Sequence, residues 1–129
     1  MIRSSMQFHW QNDGYQTFDD FLAALSSRKR KNIRKERRTV ADAGVRLLRL
    51  TGDDITASHI DDFYRFYMST IDRKWGGAYL THEVFHELRS NMADKMLLVM
   101  AEYDGAIIGG ALTFIGSDAL FGRNWGADL

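Results

Sequence analysis

The sequence predicts an α/β fold: a helical arm, then strand, helix, helix and a three-stranded antiparallel meander. Apolar residues recur at helical spacing near 18–25, 57–73 and 81–94. The last third of the chain instead breaks into three apolar runs, separated by Asp104-Gly105 and by Gly116-Ser117-Asp118. Between the first two helical stretches lies a dense cationic run, Ser26 to Arg38. Residues 1–44 are therefore read as an N-terminal segment with a short amphipathic helix and a basic helix, and 45–129 as the α/β body.

With 129 residues, 45% hydrophobic and 26% charged, the chain has enough apolar mass for one core and nothing in it reads as disordered. It has no Cys, which excludes a disulfide framework, a thiolate metal site and a thiol nucleophile. The start, Met1 to Gln7, lacks the apolar run of a signal peptide, and no stretch approaches the ~20 apolar residues of a membrane span. The expectation is a cytoplasmic protein. Pro is absent and Gly occurs eleven times, so turns rest on Gly, Asn and Asp.

In chain order, Gln7 to Trp10 is a short apolar run before the turn signal Gln11-Asn12-Asp13-Gly14, and reads as a brief strand or a lead-in segment. Thr17 is placed to cap a helix with Asp19 and Asp20 in its first turn, and Phe18, Phe21, Leu22 and Leu25 share one face. That stripe stops at Ser26, where a break is expected. A basic helix follows to Ala43, with Gly44 as its terminator. Val45–Leu50 reads as a strand closed by Thr51 to Asp54. Ile60, Phe63, Tyr64, Phe66, Tyr67 and Ile71 form the core stripe of a helix over 57–73, broken at Trp75-Gly76-Gly77. Thr81 caps a further helix carrying Val84, Phe85, Leu88 and Met92, which fades at Asp94. Met96–Tyr103, Ala106–Ile115 and Ala119–Trp125 are the meander strands, the first two joined by the hairpin signal Asp104-Gly105.

Residues 28–38 hold eight of the seventeen Lys and Arg but one of the seventeen acids. A formal charge of zero thus conceals a strong asymmetry. Arg28, Lys29, Arg30 and Lys31 fall in the first turn of the basic helix if Ser26 or Ser27 caps it. The free N–H groups of a helix start already carry roughly half a positive charge, and each cation added there costs a few tenths of a kcal/mol. An anion seated among them reverses that cost. The competing reading is a solvated basic face.

Several stretches resemble one family. Phe8-His9-Trp10, the run from Phe18 to Arg34, Asp72-Arg73-Lys74-Trp75-Gly76 with Tyr79-Leu80-Thr81, and Gly110 to Ile115 through Gly122-Arg123-Asn124-Trp125-Gly126 are similar to the FemAB-like N-acyltransferases, described as peptidoglycan biosynthesis or recognition proteins. The order of elements, with an Asp-Gly hairpin feeding Ile108-Gly109-Gly110-Ala111, resembles the first half of the GNAT acyltransferase fold. The resemblance implies a partial GNAT-like α/β fold over 45–129 and transfer of an acyl or aminoacyl group to an amine. The implied donor is acyl-CoA or aminoacyl-tRNA, the implied acceptor a phosphate-bearing peptidoglycan precursor, and no cofactor is expected to be resident. A complete GNAT domain continues into a helix that cradles the donor's pyrophosphate. This sequence has no such segment, so the polypeptide is expected to be a fragment inactive alone, with an open sheet edge available for self-association.

The resemblance and the charge pattern together nominate Arg28, Lys31, Asn32, Arg34 and Lys35 as phosphate ligands. Arg73, Lys74, Trp75 and Tyr79 lie where the GNAT fold lines its acceptor site, with Trp75 either stacking on substrate or plugging the core. Phe121, Arg123 and Trp125 share a strand face by strict alternation, as a stacked structural cation or as cleft residues. No residue is an unambiguous catalytic base, and Glu102 is the candidate. Two further classes are weighed. His82-Glu83-Val84-Phe85-His86 matches the zinc metallopeptidase pattern His-Glu-x-x-His, but no third ligand is evident and no metal is expected. A nucleic-acid or polyanion-binding module would use the basic helix alone, with affinity falling steeply with salt.

Overall fold

The computed structural model describes residues 7–73 and 80–128. The chain divides into two compact units, residues 1–39 and 40–129. In the first, α1 spans Phe18–Ala23 and is started by a reciprocal cap. The Asp20 N–H donates to Thr17 Oγ1 at 3.0 Å, while the Thr17 and Gln16 N–H groups donate to Asp20 Oδ2 at 3.2 and 3.0 Å. Residues 7–10 form no strand, contrary to the strand alternative, because an extended run is stable only with a ladder partner. Trp10 instead packs on Tyr15 and Phe21, at 6.2 and 5.7 Å between ring centres. Asn12 clasps Tyr15, accepting from its N–H at 2.7 Å and donating to its carbonyl at 3.1 Å.

The basic helix α2 spans Ser27–Asp42. Ser26 is its cap, its Oγ accepting from the Lys29 N–H at 3.3 Å. At the far end Gly44 adopts φ +85°, which lets its own N–H reach the Ala41 carbonyl and the Val45 N–H reach the Val40 carbonyl. This pairing closes the last turn in the left-handed manner that favours glycine.

The second unit holds β1 (Arg46–Thr51), α3 (Ala57–Arg73), α4 (His82–Met92), β2 (Met96–Tyr103), β3 (Ala106–Ile115) and β4 (Leu120–Ala127). The four strands form one antiparallel sheet in the order β1-β2-β3-β4, so β1 and β4 are its edges. Asp104 and Gly105 both have positive φ, 52° and 79°, the conformation of the tight hairpin turn that matches strand twist. One sheet face, with Met96, Leu98, Met100 and Leu112 buried, is packed with Ile60, Phe63, Phe66 and Tyr67 of α3 and Phe85 of α4.

Strict alternation fails on β4. Phe121 pairs with Phe114 and Gly122 with Thr113, but Asn124 pairs with Leu112, leaving Arg123 as an inserted residue. An inserted residue reverses which face the remainder of a strand presents. Phe121 therefore shares the face of Leu112, and Trp125, opposite Ala111, lies on the other. Phe121, Arg123 and Trp125 do not form one face. The bulge directs Gly126 at α3, so closely that a Cβ there would stand 2.5 Å from the Phe66 carbonyl oxygen and 2.6 Å from Thr70 Oγ1.

Gly126→Val is accordingly expected to force α3 away from β4 and to destabilise the second unit by about 1–3 kcal/mol, read as a lowered urea midpoint. In the first unit, Thr17→Ala is expected to cost about 1 kcal/mol of helix stability. Backbone N–H donors from Gln16 and Thr17 hold the Asp20 carboxyl below its ordinary 3.8. A depressed carboxyl stabilises the fold above its unfolded value and loses that contribution as pH falls through the folded one. The protection of α1 amides, measured relative to their intrinsic exchange rates, should therefore be unchanged by this group above about pH 4 and fall in stronger acid.

Candidate functional site

Two places in the described residues concentrate chemistry, one in each unit. In the first unit, α2 divides its cations between two faces. Arg30, Ile33 and Arg37 lie on one side by the 3.6-residue period. Arg30 is half-buried and spans back to the C-terminal end of α1 and the residues just after it, donating from Nε to Leu22 O and from Nη2 to Leu25 O, both at 3.0 Å. Arg37 lies over the Phe18 ring, 4.3 Å from its centre. Arg30 thus serves α1 as a C-terminal cap, where helix carbonyls lack partners and a cation is favourable.

Arg28, Lys31, Asn32, Lys35 and Arg38 fall on the opposite side, with Arg34 flanking, and all are exposed. None of these cations has a carboxylate within 4.0 Å among the described residues. The expected phosphate ligands therefore share one face, which the helix holds out to solvent. What the sequence did not distinguish is that Arg30, in the same turn, belongs to the fold. Its signal was positional: Arg30 lies eight residues after Leu22, on the side of α2 that carries Ile33.

In the second unit, Thr81 caps α4 by accepting from the Val84 N–H, which sets His82 at the first helical position and His86 one turn on. Phe85 between them is fully buried, edge-on to Phe63 at 5.7 Å and Tyr67 at 5.2 Å. That anchorage turns both imidazoles toward Asp61 on α3. His82 Nε2 is 2.6 Å and His86 Nε2 2.8 Å from the same atom, Asp61 Oδ1, and the two Nε2 atoms are 3.1 Å apart. The imidazoles, His82 first and then His86, hold the Asp61 carboxyl below its ordinary value. Tyr64 flanks the group, its ring centre 5.0 Å from that of His82. The three side chains are 58%, 45% and 30% exposed for Asp61, His82 and His86, so water reaches them. Asp61 is the third donor that the His-Glu-x-x-His pattern lacked in sequence.

The other nominated residues are more dispersed. Glu102, the candidate base, is paired across strands with Arg46 at 2.7 Å. Arg123 is the exposed bulge residue of β4, and Trp125 is 70% exposed on the face opposite the core. Arg73 closes α3, while Lys74, Trp75 and Tyr79 lie outside the described residues. Arg65, not singled out from sequence, joins α3 to the end of the sheet. It donates to both carboxylate oxygens of Asp128, at 3.3 and 3.2 Å, and to Asp62 at 3.1 Å, and its pKa is raised chiefly by Asp128.

No helix of the described residues is long and apolar enough to cross a membrane. The fold and these sites define a mixed α/β protein with an exposed cationic helix face. A FemAB-like family model, described as peptidoglycan biosynthesis/recognition, matches residues 1–129. The chain belongs to the FemAB-like family. No curated protein matches it.

Arg30→Met, which keeps the apolar stem and removes both carbonyl contacts, is expected to cost about 1–2 kcal/mol of local stability. Faster amide exchange in α1, with the second unit's exchange unchanged, is the measurement that checks it.

Proposed function

We propose that this chain is part of an N-acyltransferase that passes an acyl or aminoacyl group to an amine, and that α2 supplies the phosphate-binding face for donor or acceptor. Family membership supports the reaction class, and the order β1, α3, α4, β2, β3, β4 is compatible with the first half of a GNAT-like fold. The observation that carries the binding role is the split of α2: Arg30 and Arg37 are spent on α1, whereas Arg28, Lys31, Lys35 and Arg38 line a face with no acidic partner among the described residues. Holding like charges along one exposed stripe is unfavourable by itself. An anion with several oxygens relieves it, arginine by bidentate contact and lysine as a point charge, with Asn32 adding a neutral donor or acceptor.

The donors compatible with this reading are acyl-CoA and aminoacyl-tRNA, and the acceptor is a nucleotide- or lipid-linked peptidoglycan precursor. All bear phosphates. General nucleic-acid binding by the same stripe is the alternative, and salt dependence separates the two. A nucleotide-linked ligand neutralises a few charges, whereas a long duplex releases one counterion for nearly every contacted phosphate.

Titration of the chain with a nucleotide-linked precursor, with tRNA and with duplex DNA at two salt concentrations tests this. Arg28→Glu with Lys31→Glu is expected to weaken the precursor or tRNA at least about tenfold and to lower the salt slope by about two. Unchanged affinity in that double variant would sink the assignment, and tightest binding to duplex would favour the alternative.

A further inference from the structure

We infer that Asp61, His82 and His86 form a site for one divalent first-row transition-metal ion, held between α3 and α4. The site rests on no part of the transferase reading. Its first support is convergence. Two imidazoles on one helix, one turn apart, and a carboxylate from the neighbouring helix bring Nε2, Nε2 and Oδ1 to mutual distances of 2.6, 2.8 and 3.1 Å. Metal–nitrogen and metal–oxygen bonds of about 2.1 Å place neighbouring ligands about 3.0 Å apart at right angles and about 3.4 Å apart in a tetrahedron. The His82–His86 separation matches the octahedral value, and the two contacts to Asp61 Oδ1 need only open by a few tenths of an ångström to complete three adjacent corners of an octahedron, the facial arrangement of two histidines and one carboxylate.

The second support is proton accounting. Neutral imidazole carries one N–H, and ionised Asp61 carries none. If both histidines donate from Nε2 to Asp61 Oδ1, the 3.1 Å contact between the two Nε2 atoms has no hydrogen bond. If either turns its lone pair inward, one contact with the carboxylate becomes lone pair against lone pair. A cation accepts all three lone pairs together, with each imidazole proton moved to Nδ1.

The donor set also selects the ion. Imidazole with carboxylate suits zinc, cobalt, nickel or iron(II), whereas calcium and magnesium favour all-oxygen shells. Three protein ligands leave coordination positions free, and the exposure of all three side chains gives water access to them, as in sites that hold an exchangeable ligand rather than closed structural ones. The ion would also cross-link α3 to α4, since its ligands lie on both helices.

The test uses the full chain without a histidine tag, stripped of metal by a chelator and titrated with Co²⁺ and with Zn²⁺. One equivalent of Co²⁺ with visible ligand-field bands, one equivalent of Zn²⁺ by calorimetry, and a melting temperature that rises with ion concentration are expected. His86→Ala, His82→Ala and Asp61→Ala should each weaken binding by more than the roughly 10–100-fold typical of a lost outer-shell partner. His9→Ala should leave it unchanged, and circular dichroism of each variant reports whether it folds. Asp61→Asn keeps the shape with a poorer, neutral ligand and should fall between wild type and alanine. Sub-stoichiometric binding by the wild type, or equal affinity in the His82→Ala/His86→Ala double variant, would overturn the proposal and leave a hydrogen-bonded His–Asp cluster only.

Discussion

The placement of Phe85 is the constraint on which most of the second unit depends. Its ring has no exposed surface and meets Phe63, Tyr64 and Tyr67 of α3 at 5.7, 6.0 and 5.2 Å. Burying such a ring is worth about 1.5–3 kcal/mol, and edge-on aromatic pairs add roughly 0.5–1.5 kcal/mol each. The contact fixes the rotation of α4 about its axis, and rotation decides where every other residue on that helix points. With Phe85 inward, Arg89 one turn on reaches the Ile55 carbonyl at 2.8 Å. His82 and His86, flanking it, are left at the margin of the core facing Asp61. The polar cluster is thus a by-product of hydrophobic packing in its position, though not in its chemistry.

A similar division of labour governs the cations. Lysine and arginine are usually treated as surface charge, yet those of this chain do different work. Arg65 bridges Asp62 and Asp128, Arg46 pairs with Glu102, and Arg89 and Arg30 satisfy carbonyls. Exposed ion pairs such as Arg46–Glu102, 2.7 Å apart, contribute at most about 1 kcal/mol.

Much of the fold was legible in the sequence because local rules and packing agree. Thr17, Ser26, Thr81 and Gly44 act at helix ends as their chemistry requires, α3 spans the predicted 57–73, and Asp104-Gly105 makes the expected hairpin. The failures share one cause, which is that they depend on pairing between distant segments. Alternation along β4 could not reveal that Arg123 is inserted, since a bulge is defined only against Leu112 and Thr113 on the neighbouring strand. Asp61 was hidden for the same reason. It stands beside Asp62 in what reads as a solvated pair of acids, twenty-one residues from His82, and only helix–helix packing makes the two neighbours. Residues 7–10 show the converse: an apolar run with no ladder partner forms no strand, and of it only Trp10 joins the local aromatic cluster.

In the proposed function, the size of the anion that α2 would take is bounded by the charge outside it. Excluding 28–38, the chain has nine basic against sixteen acidic residues. A long nucleic acid must pass beyond a helix of sixteen residues, which is about 24 Å at 1.5 Å per residue, and the rest of the chain offers it more acidic than basic groups. At a Debye length of about 8 Å in physiological salt, that excess repels a phosphate brought close to those groups. A ligand whose charge is confined to one or two phosphates takes the favourable field of the stripe without entering the unfavourable one. Within the proposed function, the charge pattern therefore favours a short, phosphate-bearing group, such as a nucleotide-linked precursor or acyl-CoA, over the longer backbone of an aminoacyl-tRNA.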